Sequence, residues 1–193
     1  WLSYGDHCGS AGPLREGKGT MFDGGCRESC VMWWPGKIPA DTSCSIPAMT
    51  IDILPTIAQL IGAELPDHKI DGRDIWPLMA GEQGATSPHE AYFMYYGKQL
   101  QAVRSGKWKL HFPHGYRTMA GKPGGTGGIP TDYSQANIGT ELFDLEADIG
   151  ETADLAVSHP DVVQRLTKLA DVMRQDLGDV GVEGAGIRPA GKL

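Results

Sequence analysis

At 193 residues, with 40% hydrophobic and 21% charged residues, the chain has a globular composition and enough length for one substantial domain or two small ones. A formal net charge of -7 and a pI near 5.3 exclude a phosphate-backbone binder with a basic face, and Lys and Arg are scattered rather than clustered. No apolar run approaches the roughly 18 to 20 residues of a membrane helix, so neither nucleic acid nor membrane is an expected partner. Trp1 opens the chain without a signal-peptide pattern, in a glycine-rich stretch that reads as part of something longer.

The first informative segment is GPLREGKGTMFDGG (residues 12–25), in which glycines flank Lys18. Glycine lets a partner approach the main chain, and a lysine in such a turn offers three N–H donors to an oxyanion, so an anion site is expected, with phosphate and sulfate both fitting. It is not a Walker loop, because Gly19 stands where Ser or Thr must follow the lysine. Arg15 and Arg27 are further anion-binding candidates, or partners for Glu16, Asp23 or Glu28. His7 is a candidate substrate contact from the preceding loop.

CRESCVMWW (26–34), stopped by Pro35 and Gly36, reads as a buried strand entering a turn. Cys8, Cys26, Cys30 and Cys44 have no partner set at zinc spacing and are expected as buried free thiols. TIDILPTIAQLI (50–61) has a helical period at Ile53, Leu54, Ile57, Leu60 and Ile61; Gly62 ends it, and Pro55 fits only its first turn. A strand and helix in this order form an α/β unit. The polar stretch 67–90 reads as a linker or surface loop.

AYFMYY (91–96), LQAVR (100–104) and KWKLHF (107–112) are short β-type runs at hairpin spacing, an antiparallel meander to which ELFDL (141–145) adds a fourth strand. The glycine-rich 113–139 between them reads as too flexible to carry a core. His89, His111 and His114 near these runs are expected to serve packing or hydrogen bonding. Pro160 opens a helix with one apolar stripe at Val162, Leu166, Leu169, Met173 and Leu177, completing a small α+β sub-domain, and 178–193 reads as a frayed tail.

Five blocks together carry a resemblance: GPLREGKGTMFDGGCR through WWPG; TIDILPTIAQLIG; IDGRDIWPLMAG (70–81); AVRSGKWKL (102–110); and ELFDLEADIGETADLA (141–156). In this order they resemble the arylsulfatase-type sulfatases. The resemblance implies an alkaline phosphatase-like α/β fold: the end of the large α/β domain over 1–87, then a small α+β C-terminal domain with a four-stranded antiparallel sheet and a helix over 88–193. It implies hydrolysis of aryl or carbohydrate sulfate esters, with Lys18 as the catalytic and substrate-binding lysine and His7 as a substrate-binding candidate. A formylglycine nucleophile and a calcium ion belong to the family, whose members are periplasmic, secreted or lysosomal.

Two departures qualify this. CSIPAMT (44–50) is not the formylglycine motif, since Pro47 stands three residues after Cys44 and Ala48 takes the arginine position. Asp6 and His7 sit too close to Gly12 and Pro13 to read as the family's metal pair, so no metal ligand is expected here. A phosphatase or phosphodiesterase of the same superfamily, and a binding module without activity, are the alternatives.

Overall fold

The computed structural model describes residues 2–188, without the side chain of Asp6. Two compact units divide them: one built from 2–28 and 91–187, the other from 29–90 with residue 188. The packing therefore does not follow the expected boundary at 87/88. Residues 1–28 fold onto the strands at 91–144 because charged side chains from both segments are buried together.

In the first unit, the turn Leu2–His7 and the short helix α1 (Asp23–Cys26) precede the sheet. The meander is present as β1 (Tyr92–Tyr96), β2 (Gln99–Ser105) and β3 (Trp108–His111), and β6 (Glu141–Asp144) pairs antiparallel with β3 to complete a four-stranded sheet. The glycine-rich segment supplies a separate hairpin, β4 (His114–Thr118) with β5 (Ser134–Ile138). Its glycines serve close approach rather than flexibility: a Cβ on Gly124 would stand 2.2 Å from the nitrogen of Gly5, and Gly125 and Thr131 both donate their N–H to the Ser3 carbonyl, at 2.8 and 2.9 Å.

Helix α4 (Pro160–Leu177) follows the predicted stripe, with Leu166 and Ala170 fully buried. They meet Leu100, Val103, Leu110 and Leu142 in one core. Side chains alternate across a strand, so Leu110 turns to α4 while Lys109 and His111 face the other way, toward residues 15–23. The stretch read as a frayed tail begins with a two-strand pairing, β7 (Gly178–Asp179) with β8 (Val182–Glu183); residues 189–193 lie outside the described residues.

In the second unit, a turn at Thr50–Asp52 leads into α2 (Ile53–Ile61), which ends at Gly62 in the left-handed conformation, φ 66°. Pro55 lies in the first turn, as required. The apolar stripe, however, is outward: Ile53, Leu54, Ile57 and Ile61 are exposed, while Pro55, Thr56 and Ala58 are buried. The expected strand at 26–34 is exposed and unpaired coil after the end of α1, with Val31 94% exposed. A strand exists only where a neighbouring strand takes up its backbone hydrogen bonds, and among the described residues no strand pairs with 27–34. Within the supposed linker, α3 (Trp76–Met79) forms and buries Leu78.

Candidate functional site

The glycine-flanked loop is built from the inside out. Phe22 is fully buried, stacked on the His111 ring with centroids 4.6 Å apart and edge-on to Tyr116 at 5.0 Å. Asp23, one residue on, is buried beside it. Its Oδ1 accepts from Lys109 Nζ at 2.8 Å, and Arg104 Nη1 stands 3.7 Å from its Oδ2. Arg104 and Lys109 are cross-strand partners on β2 and β3, so their like charges would repel were an anion not set between them.

Glu151 is the second anion. Its Oε1 lies 2.9 Å from Lys109 Nζ and 3.2 Å from His111 Nε2, and its Oε2 accepts the backbone N–H of Asp23 at 2.6 Å. Lys109, His111 and Glu151 are all fully buried. Burial drives the His111 pKa down to about 4, so the ring is neutral at pH 7 and donates Nε2–H to Glu151. Burial alone would raise the Glu151 carboxyl, but the hydrogen bond from His111 and the charge of Lys109 outweigh it and hold its pKa below the ordinary value. His114, also lowered by burial, donates Nδ1–H to the Phe112 carbonyl at 2.7 Å.

The arginine candidates are engaged elsewhere than on a ligand. Arg15 donates to the Glu151 carbonyl at 2.6 Å and to Tyr116 Oη at 3.2 Å, and its guanidinium lies 4.1 Å from the Phe22 ring centre. Arg27 makes only a loose pair with Asp23, at 3.8 Å. Lys18 itself is exposed, on a loop whose neighbours Gly17 and Thr20 are buried. Thr20 Oγ1 donates to the Gly17 carbonyl at 3.0 Å, closing the turn beneath the lysine. His7 is exposed at the end of the turn Leu2–His7. Lys18 and His7 are thus delivered to the surface by separate turns of the same unit.

The cysteines are free, as expected, but not buried: Cys26, Cys30 and Cys44 are exposed and Cys8 half-buried. Cys44 therefore sits as an ordinary surface thiol. Among the described residues there is no group of three or more His, Cys, Asp or Glu that could hold a metal ion, and no helix is long and apolar enough to cross a membrane.

Sequence reasoning gives His111 a packing or hydrogen-bonding role and Asp23 a role in holding the loop, but it missed the clamp that joins them to Lys109, Glu151 and Arg104. Lys109 and His111 alternate with apolar Trp108 and Leu110 in KWKLHF, which by itself reads as the wet side of a half-buried strand. The available signal lay in the blocks, since Asp23, Arg104, Lys109 and Glu151 are among the charged members of three of them. A second hub was also missed. Asp52, fully buried, accepts from the N–H groups of Met49 at 2.8 Å and Arg73 at 2.9 Å, and lies 2.7 Å from His89 Nε2. Thr56 extends it by accepting the Ile75 N–H at 2.9 Å.

The chain matches two families, one described as the C-terminal region of aryl-sulfatase, over residues 87–183, and one as N-sulphoglucosamine sulphohydrolase, C-terminal, over 17–115. It is 36% identical to human arylsulfatase A over 174 residues, covering 83% of this chain and 33% of that protein. It is 35% identical to mouse steryl-sulfatase over 187 residues, covering 88% of this chain and 29% of that protein. Among solved structures, the PsFucS1 sulfatase from Pseudoalteromonas sp. superposes with a TM-score of 0.69 at 26% identity, over 83% of this chain and 32% of that one. The chain thus spans about a third of the length of the curated relatives it matches.

Proposed function

This chain belongs to the sulfatase family, and on that premise we propose that it is the C-terminal third of a sulfuric ester hydrolase in which Lys18 grips the sulfate group. The observation that carries the proposal is the loop itself: an exposed lysine stands on a turn whose flanking residues are locked to a buried charge clamp. Preorganised donors stabilise charge that develops in a transition state without reorganising at the moment of reaction, and a lysine carried on a turn closed by its own hydrogen bond suits that need. The ammonium holds the sulfate oxygens as negative charge grows on the departing ester oxygen. His7 lies on the preceding turn of the same unit and is assigned a contact on the substrate side.

The substrate is an aryl or carbohydrate sulfate ester, and the compartment periplasmic or extracellular, or lysosomal in a eukaryote. The formylglycine nucleophile and calcium are assigned to residues outside this chain. Calcium, when bound, adds positive charge at the sulfate oxygens; the described residues contain no ligand cluster for it, so no step here runs through it. In the complete enzyme, Lys18→Ala is expected to lower kcat/KM for an aryl sulfate by about 2 to 4 kcal/mol of transition-state stabilisation, as for one lost oxyanion contact. Unchanged turnover would remove Lys18 from the site. Faster cleavage of the matched aryl phosphate than of the aryl sulfate would favour the phosphatase reading.

A further inference from the structure

The lysine loop is gripped from a second side, by the hairpin β4–β5. Arg117 on β4 donates from Nη2 to the Lys18 carbonyl oxygen at 2.7 Å, and its guanidinium lies 4.9 Å from the ring centre of Tyr133. Thr118, the next residue, donates from Oγ1 to Glu16 Oε1 at 2.7 Å. Two consecutive residues of one strand thus hold the residues on either side of Gly17.

The sequence of the loop accommodates this grip. Gly19 has φ 96°, and a Cβ there would stand 2.0 Å from Arg117 Nη2, so the guanidinium occupies the volume a side chain would have filled. Glu16, held by Thr118, is itself in the left-handed region, φ 59°, a conformation that a non-glycine residue keeps only where its surroundings enforce it. A planar guanidinium suits this place better than an ammonium, since it stacks on one group while donating in its own plane to another. Tyr133 anchors in turn, its hydroxyl accepting the Ser3 N–H at 3.3 Å.

We propose that Arg117 is a positioning residue for Lys18: by holding the Lys18 carbonyl it fixes where the lysine side chain leaves the backbone, and so where its ammonium meets the sulfate. The assignment rests on the reading of Lys18 given above. It makes the β4–β5 hairpin part of the sulfate site through the backbone of another residue, and it gives the glycine after Lys18 a role in making room for an arginine.

The test is a double-mutant cycle in the complete enzyme on an aryl sulfate, using Arg117→Ala, Lys18→Ala and the pair, with circular dichroism and Tm recorded for each. Arg117→Ala is expected to lower kcat about tenfold with KM changed less than about threefold, and to lower it less than about twofold when Lys18 is already alanine. If Arg117→Ala does not fold, Arg117→Lys takes its place in the cycle, and the same loss of effect in the Lys18→Ala background is expected. A full effect of Lys18→Ala with losses that simply multiply overturns the role of Arg117 alone. Unchanged turnover by Lys18→Ala overturns the reading of Lys18 and this proposal with it.

Discussion

Helices α2 and α4 announce themselves in the sequence by the same periodic apolar stripe, and the two units treat that stripe in opposite ways. On α4 it is driven into a core, where Leu166 and Ala170 are fully buried against the sheet; on α2 Ile53, Leu54, Ile57 and Ile61 are exposed, by 48 to 71%. Periodicity identifies which face is apolar, but the fate of that face depends on whether another layer is there to meet it. The two units also hold their buried carboxylates differently. Asp23 and Glu151 are answered by a buried ammonium and a guanidinium, whereas Asp52 is cradled by backbone N–H groups and a histidine. Asp52 gathers partners as far as Arg73 and His89, 21 and 37 residues along the chain, while Asp23 reaches Lys109, 86 residues away, and so ties more remote parts of the chain together.

The sharpest way to break the comparison is Lys109→Met. It leaves Asp23 and Glu151 buried without their shared cation, and removing one partner of a buried ion pair costs about 3 to 5 kcal/mol. Denaturant unfolding of the complete protein is expected to show that loss, together with protease sensitivity at residues 15–23; a loss near zero would mean that water reaches the clamp. Next in size is a matched pair of truncations. Leu166→Ala is expected to cost about 2 to 5 kcal/mol because it opens a cavity under the sheet, whereas Ile57→Ala on the exposed stripe of α2 is expected to stay within about 0.5 kcal/mol in this chain. Equal costs would show that α2 is covered.

The acid response bears on the clamp alone. His111 has its pKa depressed from 6.5 to about 4, so the unfolded chain takes up a proton that the folded one refuses over that window. Stability is therefore full above pH 6.5 and is lost as pH falls toward 4, by roughly 2 to 3 kcal/mol for this group. Glu151, held below its ordinary value, pushes in the same direction at the lower end of the window. His111→Gln keeps an N–H donor without a titrating ring and is expected to flatten the pH dependence of Tm between 6.5 and 4. An unchanged slope would place the sensitivity in other groups.

Much of the fold was legible in the residues. The β1–β3 meander, the fourth strand, both main helices and the place of Pro55 followed from local period and turn chemistry. What was not legible depended on partners distant in sequence. The 26–34 run has strand composition, but composition cannot supply the neighbour a strand needs. The glycines of 113–139 read as slack, although Gly124 is there to let the chain touch Gly5. At the site, the turn around Lys18 was visible because its spacing is local. The clamp was not, because nothing local to KWKLHF says that Asp23 and Glu151 will meet over Lys109 and bury it.

The spacing of that clamp bears on how the protein is made. Asp23 waits for Lys109, 86 residues later, and for Glu151, 128 residues later. At ribosomal speeds of about 5 to 20 residues per second, the lysine turn leaves the exit tunnel on the order of ten seconds before the last of its fasteners is synthesised. The turn that carries Lys18 therefore cannot be fastened to its clamp until the strand of Lys109 and the loop of Glu151 have both been made.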